Sequence, residues 1–403
     1  MKLSEELAWR GFVNQTTFAS IDELDKQPRS FYWGCDPSAD SLQIGNLAAG
    51  MMARCFIKHG YAPVLLIGGA TGMIGDPKDD AERALKNMDE INKNKQAITG
   101  QYNRIFSGQP FELVDNYDWF KDIGYLDFLR DVGKHFSMTQ LLDREFVKSR
   151  VGEGKSGLSY AEFSYSLIQG YDFLELYRTK HVTLQLCGAD QWGNSLAGVE
   201  LIRKLENAEA HVWSSPLIIN QATGKKFGKS EEGAVWLSAD KTSIYKFYQF
   251  WLNVDDAGVG DYLKVYTFIE PAEHERLMAE FAANPGARAA QKYLAFEVTK
   301  IVHGEAAADS AQSVTEVLFG DRSVVELGEA ERQLLAAEIP TVSLNTLLID
   351  VLIQAHVATS NNEARRLLEG GAVTVNGEKA TADHTISDVS LVKKGKNSFV
   401  LVM

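Results

Sequence analysis

The chain has 403 residues, 45% of them hydrophobic and 24% charged, which supplies a sizeable core for about two or three domains and excludes a disordered or fibrous chain. A net charge of -13 and a pI of about 5.2 exclude a surface coated with basic residues for indiscriminate nucleic-acid binding, so any RNA contact must be local. Three cysteines (Cys35, Cys55 and Cys187) have neither zinc-site spacing nor an even pairing. No apolar run reaches the roughly 18 residues of a membrane span and the opening residues lack the apolar core of a secretion signal, so a cytosolic enzyme without membrane contact is expected.

The first half alternates β-rich runs with helical stretches, the pattern of a parallel sheet covered by helices. Arg29 to Gly34 predicts a first strand, Asn46 to His59 carries apolar residues at helical spacing, and Ala62 to Ile67 predicts a buried second strand. Phe111 to Asp115 and His181 to Cys187 are further strand candidates. The helical stretches Tyr125 to Lys148 and Tyr160 to Lys180 interrupt the sheet, and this insertion is a candidate dimer surface. From Ser243 to Phe319 the chain reads as almost wholly helical and rich in aromatics, a composition that fits core better than binding site. Helical spacing returns around Arg332 to Ala337 before a boundary near Pro340. Beyond it, Leu344 to Gln354 and Asn361 to Glu369 predict short helices, and Val373 to Asn376 predicts a strand entering a tight turn.

Three stretches carry chemistry. The first runs from Tyr32 through Asp36, Pro37 and Ser38 to Gln43-Ile44-Gly45-Asn46 and takes a strand into a helix through a small polar turn. Such a turn presents backbone N–H groups and a positive helix end to an anion, with phosphate the natural guest. Gly45 lets a base or ribose approach the backbone, and Gln43 and Asn46 can donate amide hydrogen bonds to phosphate or sugar oxygens. The same capping residues also occur in inert turns. In the second stretch, Gly68-Gly69-Ala70-Thr71-Gly72-Met73-Ile74-Gly75-Asp76, the glycines serve either close approach by a ligand or a tight structural turn, and Asp76 offers an anchor for an ammonium group. In the third, Lys225-Lys226-Phe227-Gly228-Lys229-Ser230, clustered lysines on a glycine-containing loop can neutralise charge on a leaving pyrophosphate. A solvated surface run is the alternative there.

Together these stretches resemble the signatures of class I aminoacyl-tRNA synthetases. Gln43-Ile44-Gly45-Asn46 stands where that class usually has His-Ile-Gly-His, and Lys226-Phe227-Gly228-Lys229-Ser230 resembles its mobile Lys-Met-Ser-Lys-Ser loop. Asn116-Tyr117-Asp118-Trp119, Phe163-Ser164-Tyr165 continuing to Gln169-Gly170-Tyr171-Asp172, and Gly188-Ala189-Asp190-Gln191-Trp192-Gly193-Asn194 follow in the same order. With them, most of the chain resembles the bacterial-type tyrosyl-tRNA synthetases.

The resemblance implies an α/β fold: a Rossmann-like parallel-sheet catalytic domain (1–225) with a helical dimerisation insertion (about 116–180), then the signature loop and an α-helical domain (226–325). A linker (326–341) and a small α+β RNA-binding domain of ribosomal-protein type (342–403) follow. A phenol both donates and accepts a hydrogen bond, so a tyrosine pocket needs a fixed acceptor and a fixed donor; the resemblance gives these roles to Asp172 and Tyr32, with Asn116 near the same end. It implies Tyr165, Gln169 and Asp76 around the substrate ammonium and Gln191 near its carboxylate. For ATP it implies Asp36 and Ser38 near the adenylate phosphates, Gly45 and Asn46 at adenine and ribose, Asp190 on the ribose hydroxyls beside Gly188, and Gln43 toward the γ-phosphate. Lys226, Lys229 and Arg83 would close on pyrophosphate, completing with Gln43 and Asn46 the implied catalytic set. The stretch Lys78-Asp79-Asp80 before Arg83 is shorter and more acidic than the family's usual loop.

The implied reaction is tyrosine activation by ATP with Mg2+, without a tightly bound cofactor or resident metal, followed by transfer to tRNA(Tyr). A homodimer is the implied assembly. Arg365, Arg366, Lys393 and Lys394 are the implied RNA contacts, while Arg203 and Lys204 suit either a tRNA acceptor stem or a solvated helix face. Two other readings compete: a synthetase-like enzyme for another amino acid, and a silent paralogue kept as an RNA-binding protein.

Overall fold

The computed structural model describes residues 1–77, 85–142, 145–152, 155, 157–230 and 233–403. They divide into two units, Met1–Thr242 with Asn253–Leu294, and Ser243–Leu252 with Ala295–Met403. The helical stretch 243–319 is therefore shared between them.

In the first unit a six-stranded sheet runs in the order β1-β6-β5-β2-β3-β4. Its strands are β1 (Gln15–Thr16), β2 (Ser30–Cys35), β3 (Ala62–Ile67), β4 (Glu112–Asp115), β5 (Leu184–Gly188) and β6 (His211–Ser215). Every neighbouring pair is parallel except β1 with β6. Because β2 pairs with both β3 and β5, the chain lays β3 and β4 on one side and returns to lay β5 and β6 on the other. That reversal leaves a crevice outside the carboxyl ends of β2 and β5, the place where sheets of this kind bind ligands. A further antiparallel pair is formed by β7 (Lys229–Ser230) and β8 (Gly233–Ala234).

The four strands read from sequence are present, with β3 at its expected limits and β5 starting at Leu184, three residues beyond the expected His181. β6 was not foreseen. His211-Val212-Trp213-Ser214-Ser215 lacks both alternation and an apolar run, yet Val212 to Ser215 are buried between β5 and β1, so tertiary burial makes this strand.

The helix Ile44–Lys58 begins where the Asn46 side chain accepts the Gln43 N–H at 3.0 Å. Its buried Ile44, Leu47, Met51, Met52, Cys55 and Phe56 recur at three- and four-residue steps, and each large apolar side chain stabilises by about 1.5–3 kcal/mol. Gly60, at φ 85°, then turns the chain into β3. The stretch expected as one helical run from Tyr125 to Lys148 is divided into Tyr125–Asp131, a 3-10 turn at Gly133–His135, Met138–Leu142 and Glu145–Arg150. Tyr160–Lys180 forms as expected, opened by Ser159, whose hydroxyl accepts the Glu162 N–H at 3.2 Å. It packs with Trp192–Glu206 around a cluster that includes Tyr32, Leu66, Phe173, Leu176 and Leu201.

The second unit contains Ile244–Leu252, Glu305–Phe319, Glu329–Glu338, Leu348–Gln354 and Asn361–Glu369 as helices. Its five-stranded sheet has the order β12-β11-β14-β15-β9, and a separate pair joins β10 and β13. The strands are β9 (Thr341–Val342), β10 (Thr346–Leu347), β11 (Val373–Val375), β12 (Glu378–Lys379), β13 (Thr385–Ile386), β14 (Ser390–Lys394) and β15 (Ser398–Val402). The helix expected from Leu344 starts only at Leu348, because Asn345 sits at φ 60° and Thr346 and Leu347 pair with β13. The stretch 326–341, read from sequence as a linker, includes the helix Glu329–Glu338. Its Leu335 is buried in one cluster with Val314, Leu318, Leu391, Phe399 and Leu401. Among the described residues no helix is long and apolar enough to cross a membrane.

Candidate active site

A cavity of about 680 Å³ opens at the carboxyl ends of β2 and β5. Tyr32, Asp36, Ser38, Gln43, Gly45, Asn46, Asp76, Tyr165, Gln169, Asp172, Gly188, Asp190, Gln191 and Lys226 all line it, so the first unit gathers most residues singled out from sequence around one space. Arg83 lies outside the described residues, and Lys229 enters only through its backbone in β7. Arg365 and Arg366 are exposed on the second unit's helix Asn361–Glu369. On β14, Lys394 Nζ donates to the Val357 carbonyl at 3.0 Å and the Lys393 ammonium lies 5.1 Å from the Phe399 ring centre, so both lysines already have protein partners.

One end of the cavity is deeply buried. Asp172 accepts hydrogen bonds from Asn116 Nδ2 at 3.1 Å and Trp119 Nε1 at 3.0 Å. Asn116 is fully buried; it also donates to Thr71 Oγ1 at 3.0 Å and accepts the Ala70 N–H at 2.7 Å. Burial pushes the Asp172 carboxyl well above the ordinary carboxylate range, and the donors from Asn116 and Trp119 offset this only in part. The Tyr32 hydroxyl is buried without a hydrogen-bond partner among the described residues, as is Gln169 Oε1. Burial first, then the Asp172 charge, holds the Tyr32 phenol neutral. An unpaired buried hydroxyl and amide oxygen bordering an open space are receptors for a polar guest.

Toward the middle, carboxylates collect. Asp36 accepts from the Tyr165 hydroxyl at 2.8 Å and the Thr71 hydroxyl at 2.6 Å. Asp76 accepts from Gln191 Nε2 at 2.8 Å and Asn194 Nδ2 at 3.1 Å. The glycine turn runs close against carboxylates: a Cβ on Gly68 would collide with Asp36 Oδ1, and one on Gly69 with Asp115 Oδ1. The room left by these two glycines is filled by the protein's own carboxylates. Thr71, Trp119 and Asn194 were given no role from sequence, although each lies inside a motif quoted above. Among the described residues no cluster of His, Cys, Asp and Glu gathers to hold a metal ion.

At the other end, apart from its chain neighbours and the backbone of its own helix, no described atom comes within 4 Å of where a Gly45 Cβ would stand, so a flat group can approach that backbone. Asn46 Nδ2 lies 3.7 Å from Cys35 Sγ, and burial pushes that thiol up to about 12, keeping it uncharged. Lys226 Nζ is 3.9 Å from Asp190 Oδ2, both well exposed. The loop before β7 is fixed by its aromatic residue: Phe227 stacks on Tyr262 with ring centres 4.2 Å apart. Gly228, at φ 112°, passes close over Ile44, where a Cβ would come within 2.9 Å.

A parallel sheet with its crevice at the strand reversal, an anion-ready helix start and a lysine-bearing loop define a nucleotide-binding α/β enzyme. The sequence family described as tRNA synthetases class I (W and Y) matches residues 24–320. The chain belongs to that family. Residues 331–402 match the tyrosine–tRNA ligase SYY-like C-terminal domain. Tyrosine–tRNA ligase 2 of Enterococcus faecalis is 42% identical over 99% of this chain and 98% of its own. Tyrosine–tRNA ligase of Lactococcus lactis is 42% identical over the whole of both chains. Among solved structures, C-terminally truncated mitochondrial tyrosyl-tRNA synthetases are similar. That of Aspergillus nidulans has a TM-score of 0.71 at 26% identity, covering 79% of this chain and 94% of its own. That of Coccidioides posadasii has 0.67 at 30%, covering 77% and 91%.

Proposed function

We propose that this chain is a tyrosine–tRNA ligase, which activates L-tyrosine with ATP and transfers it to tRNA(Tyr). The relatives at 42% identity over nearly the whole chain support the activity. The observation that carries the amino-acid assignment is the pairing of the unpartnered Tyr32 hydroxyl with the Asp172 carboxylate at the buried end of the cavity. A phenol donates to Asp172 and accepts from Tyr32, whereas a phenyl ring leaves the Tyr32 hydroxyl unpaired and offers Asp172 no donor beyond Asn116 and Trp119. Rejection of phenylalanine on this ground is a case for which tyrosyl enzymes are themselves the reference.

In the proposed complex the substrate ammonium meets Asp76, Tyr165 and Gln169, with Asp76 pre-oriented by Gln191 and Asn194. Gln191 also serves the substrate carboxylate. The Asp36 carboxylate is already engaged by Tyr165 and Thr71, so its contribution to the phosphates comes through its backbone, beside Ser38. Gly45 and Asn46 take the adenine and ribose, and Asp190 takes the ribose hydroxyls once Lys226 leaves it for pyrophosphate. Mg2+ enters with ATP as the substrate complex. A tyrosine carboxylate oxygen attacks the α-phosphorus, the bond to the β-phosphate oxygen breaks, and pyrophosphate departs with the electron pair. The terminal adenosine hydroxyl of tRNA then attacks the carbonyl carbon and AMP leaves. No side chain becomes covalently attached; the protein positions the reactants and stabilises charge through Gln43, Lys226, Lys229 and Arg83.

The proposed assembly is a homodimer joined through the insertion, and the proposed compartment is the cytosol, where ATP and tRNA are available. The test is tyrosine-dependent exchange of labelled pyrophosphate into ATP with magnesium. Exchange is expected with tyrosine and not with phenylalanine or tryptophan. A folded sample that exchanges with no amino acid overturns the assignment in favour of an RNA-binding paralogue.

A further inference from the structure

We propose that Gln101 is a positioning residue for adenylate formation, and that it holds the first signature and the chain leaving the lysine loop in one register. This rests on the tyrosine-activation reading above. Gln101 lies on the helix Met88–Ile105, is 8% exposed, and does not line the cavity. Both ends of its amide are committed: Oε1 accepts the Leu42 N–H at 2.7 Å, and Nε2 donates to Ser41 Oγ at 2.9 Å. The Ser41 hydroxyl donates to the Leu42 carbonyl at 2.8 Å and accepts the Ser238 N–H at 3.0 Å. One buried hydroxyl thus joins the turn before Gln43, the helix carrying Gln101, and the segment downstream of the lysines.

The backbone completes the junction. Leu237 N–H donates to the Leu42 carbonyl at 2.9 Å, Ile44 N–H donates to the Val235 carbonyl at 3.3 Å, and Gln43 and Trp236 face each other as bridge partners. Val235 N–H reaches back to the Gly228 carbonyl at 3.0 Å, and Lys241 pairs with Asp40 at 2.7 Å. The spacing between Gln43 and Lys226 to Lys229 is therefore set by a junction in which Ser41 and Gln101 supply the buried polar side chains. At the amino-acid end, Asp172, Asn116 and Trp119 belong to other segments, and Tyr32 is held within β2, upstream of the turn that carries Ser41. Loss of the clamp should act on ATP chemistry and leave tyrosine binding alone.

The test uses the full chain with Gln101→Leu and Gln101→Glu. It measures tyrosine binding at equilibrium, pyrophosphate exchange at varied ATP, and tryptic cleavage after Lys225 and Lys226 mapped by mass, with melting curves to show that each variant is folded. Gln101→Leu should keep its tyrosine Kd within about twofold, lower the exchange kcat by about 10- to 100-fold and raise KM for ATP, because a misplacement of about 1 Å suffices for such losses. Cleavage at the two lysines should accelerate. Gln101→Glu still accepts from the Leu42 N–H and should recover part of the activity. Adding Ser41→Ala to Gln101→Leu should cost little more, since the two act as one unit. Unchanged kcat, ATP KM and cleavage in Gln101→Leu overturn the proposal, as does tyrosine binding that falls in step with kcat. Should Gln101→Leu fail to fold, Ser41→Ala carries the same readouts. Absence of exchange in the parent would instead sink the activation reading, and the cleavage rates alone then decide the clamp.

Discussion

In the proposed reading Gln43 and Asn46 stand in for two histidines of the class signature, and their side chains are differently placed. Gln43 lines the cavity from the residue that precedes the helix, whereas the Asn46 amide is held at both ends, by the Gln43 N–H and by Cys35. Neither titrates, and among the described residues no histidine lines the cavity. At saturating tyrosine the exchange kcat should therefore show no step near the imidazole pKa of about 6.5, and Gln43→His with Asn46→His should introduce one. Gln43→Ala should slow adenylate formation about a hundredfold without weakening tyrosine binding. Saturation matters because burial raises the Asp172 pKa. As pH falls through that raised value Asp172 takes a proton and ceases to be a full acceptor, which weakens tyrosine affinity and appears in KM. A step in the parent's kcat near 6.5 would rule the neutral-donor account out. Much of the cavity lining was legible because its residues sit in contiguous motifs. The hydrogen bonds from Trp119 to Asp172 and from Thr71 to Asp36 were not, since they join segments far apart in sequence and depend on side-chain direction.

Elements with one dominant period were readable, and those made by their neighbours were not. Ala62–Ile67 is a β-branched and aliphatic run and could be little else, while His211–Ser215 becomes a strand only through burial between β5 and β1. The insertion shows the same limit: its apolar residues read as helix, but a break at Gly133–His135 divides the run into short helices. Tyr125, Leu126, Met138, Leu142 and Tyr160 remain exposed, Leu126 by 77%. These exposed apolar side chains are the proposed interface. A second copy is the proposed occupant, because the insertion is the segment expected to form a self-complementary surface. A solution mass of twice 44.6 kDa is expected for the parent, shifting toward 44.6 kDa in Leu126→Lys with Tyr125→Lys. Parent and variant running at the same single-chain mass would remove the dimer.

For the whole molecule, the question is how RNA binding can be separated from activation. Deleting residues 342–403 looks like the obvious experiment, but Leu391, Phe399 and Leu401 share a buried cluster with Val314, Leu318 and Leu335. Truncation would strip that cover from the helices Glu305–Phe319 and Glu329–Glu338, so loss of tRNA charging by a truncated chain could reflect exposed core alone. Charge reversal on an exposed face avoids this. Arg365 and Arg366 stand on the solvent side of Asn361–Glu369, whose Ala364 and Leu368 face inward, whereas Lys393 and Lys394 already have protein partners and would disturb packing when replaced. Arg365→Glu with Arg366→Glu should leave tyrosine-dependent pyrophosphate exchange at the parent rate, since that half-reaction uses no tRNA. The KM for tRNA in aminoacylation should rise, and the slope of log affinity against log salt should become shallower by about one for each phosphate that is no longer neutralised. If tRNA affinity and its salt slope match the parent, the two arginines are a solvated face and the RNA is held elsewhere. If exchange falls together with charging, the second unit contributes to activation itself.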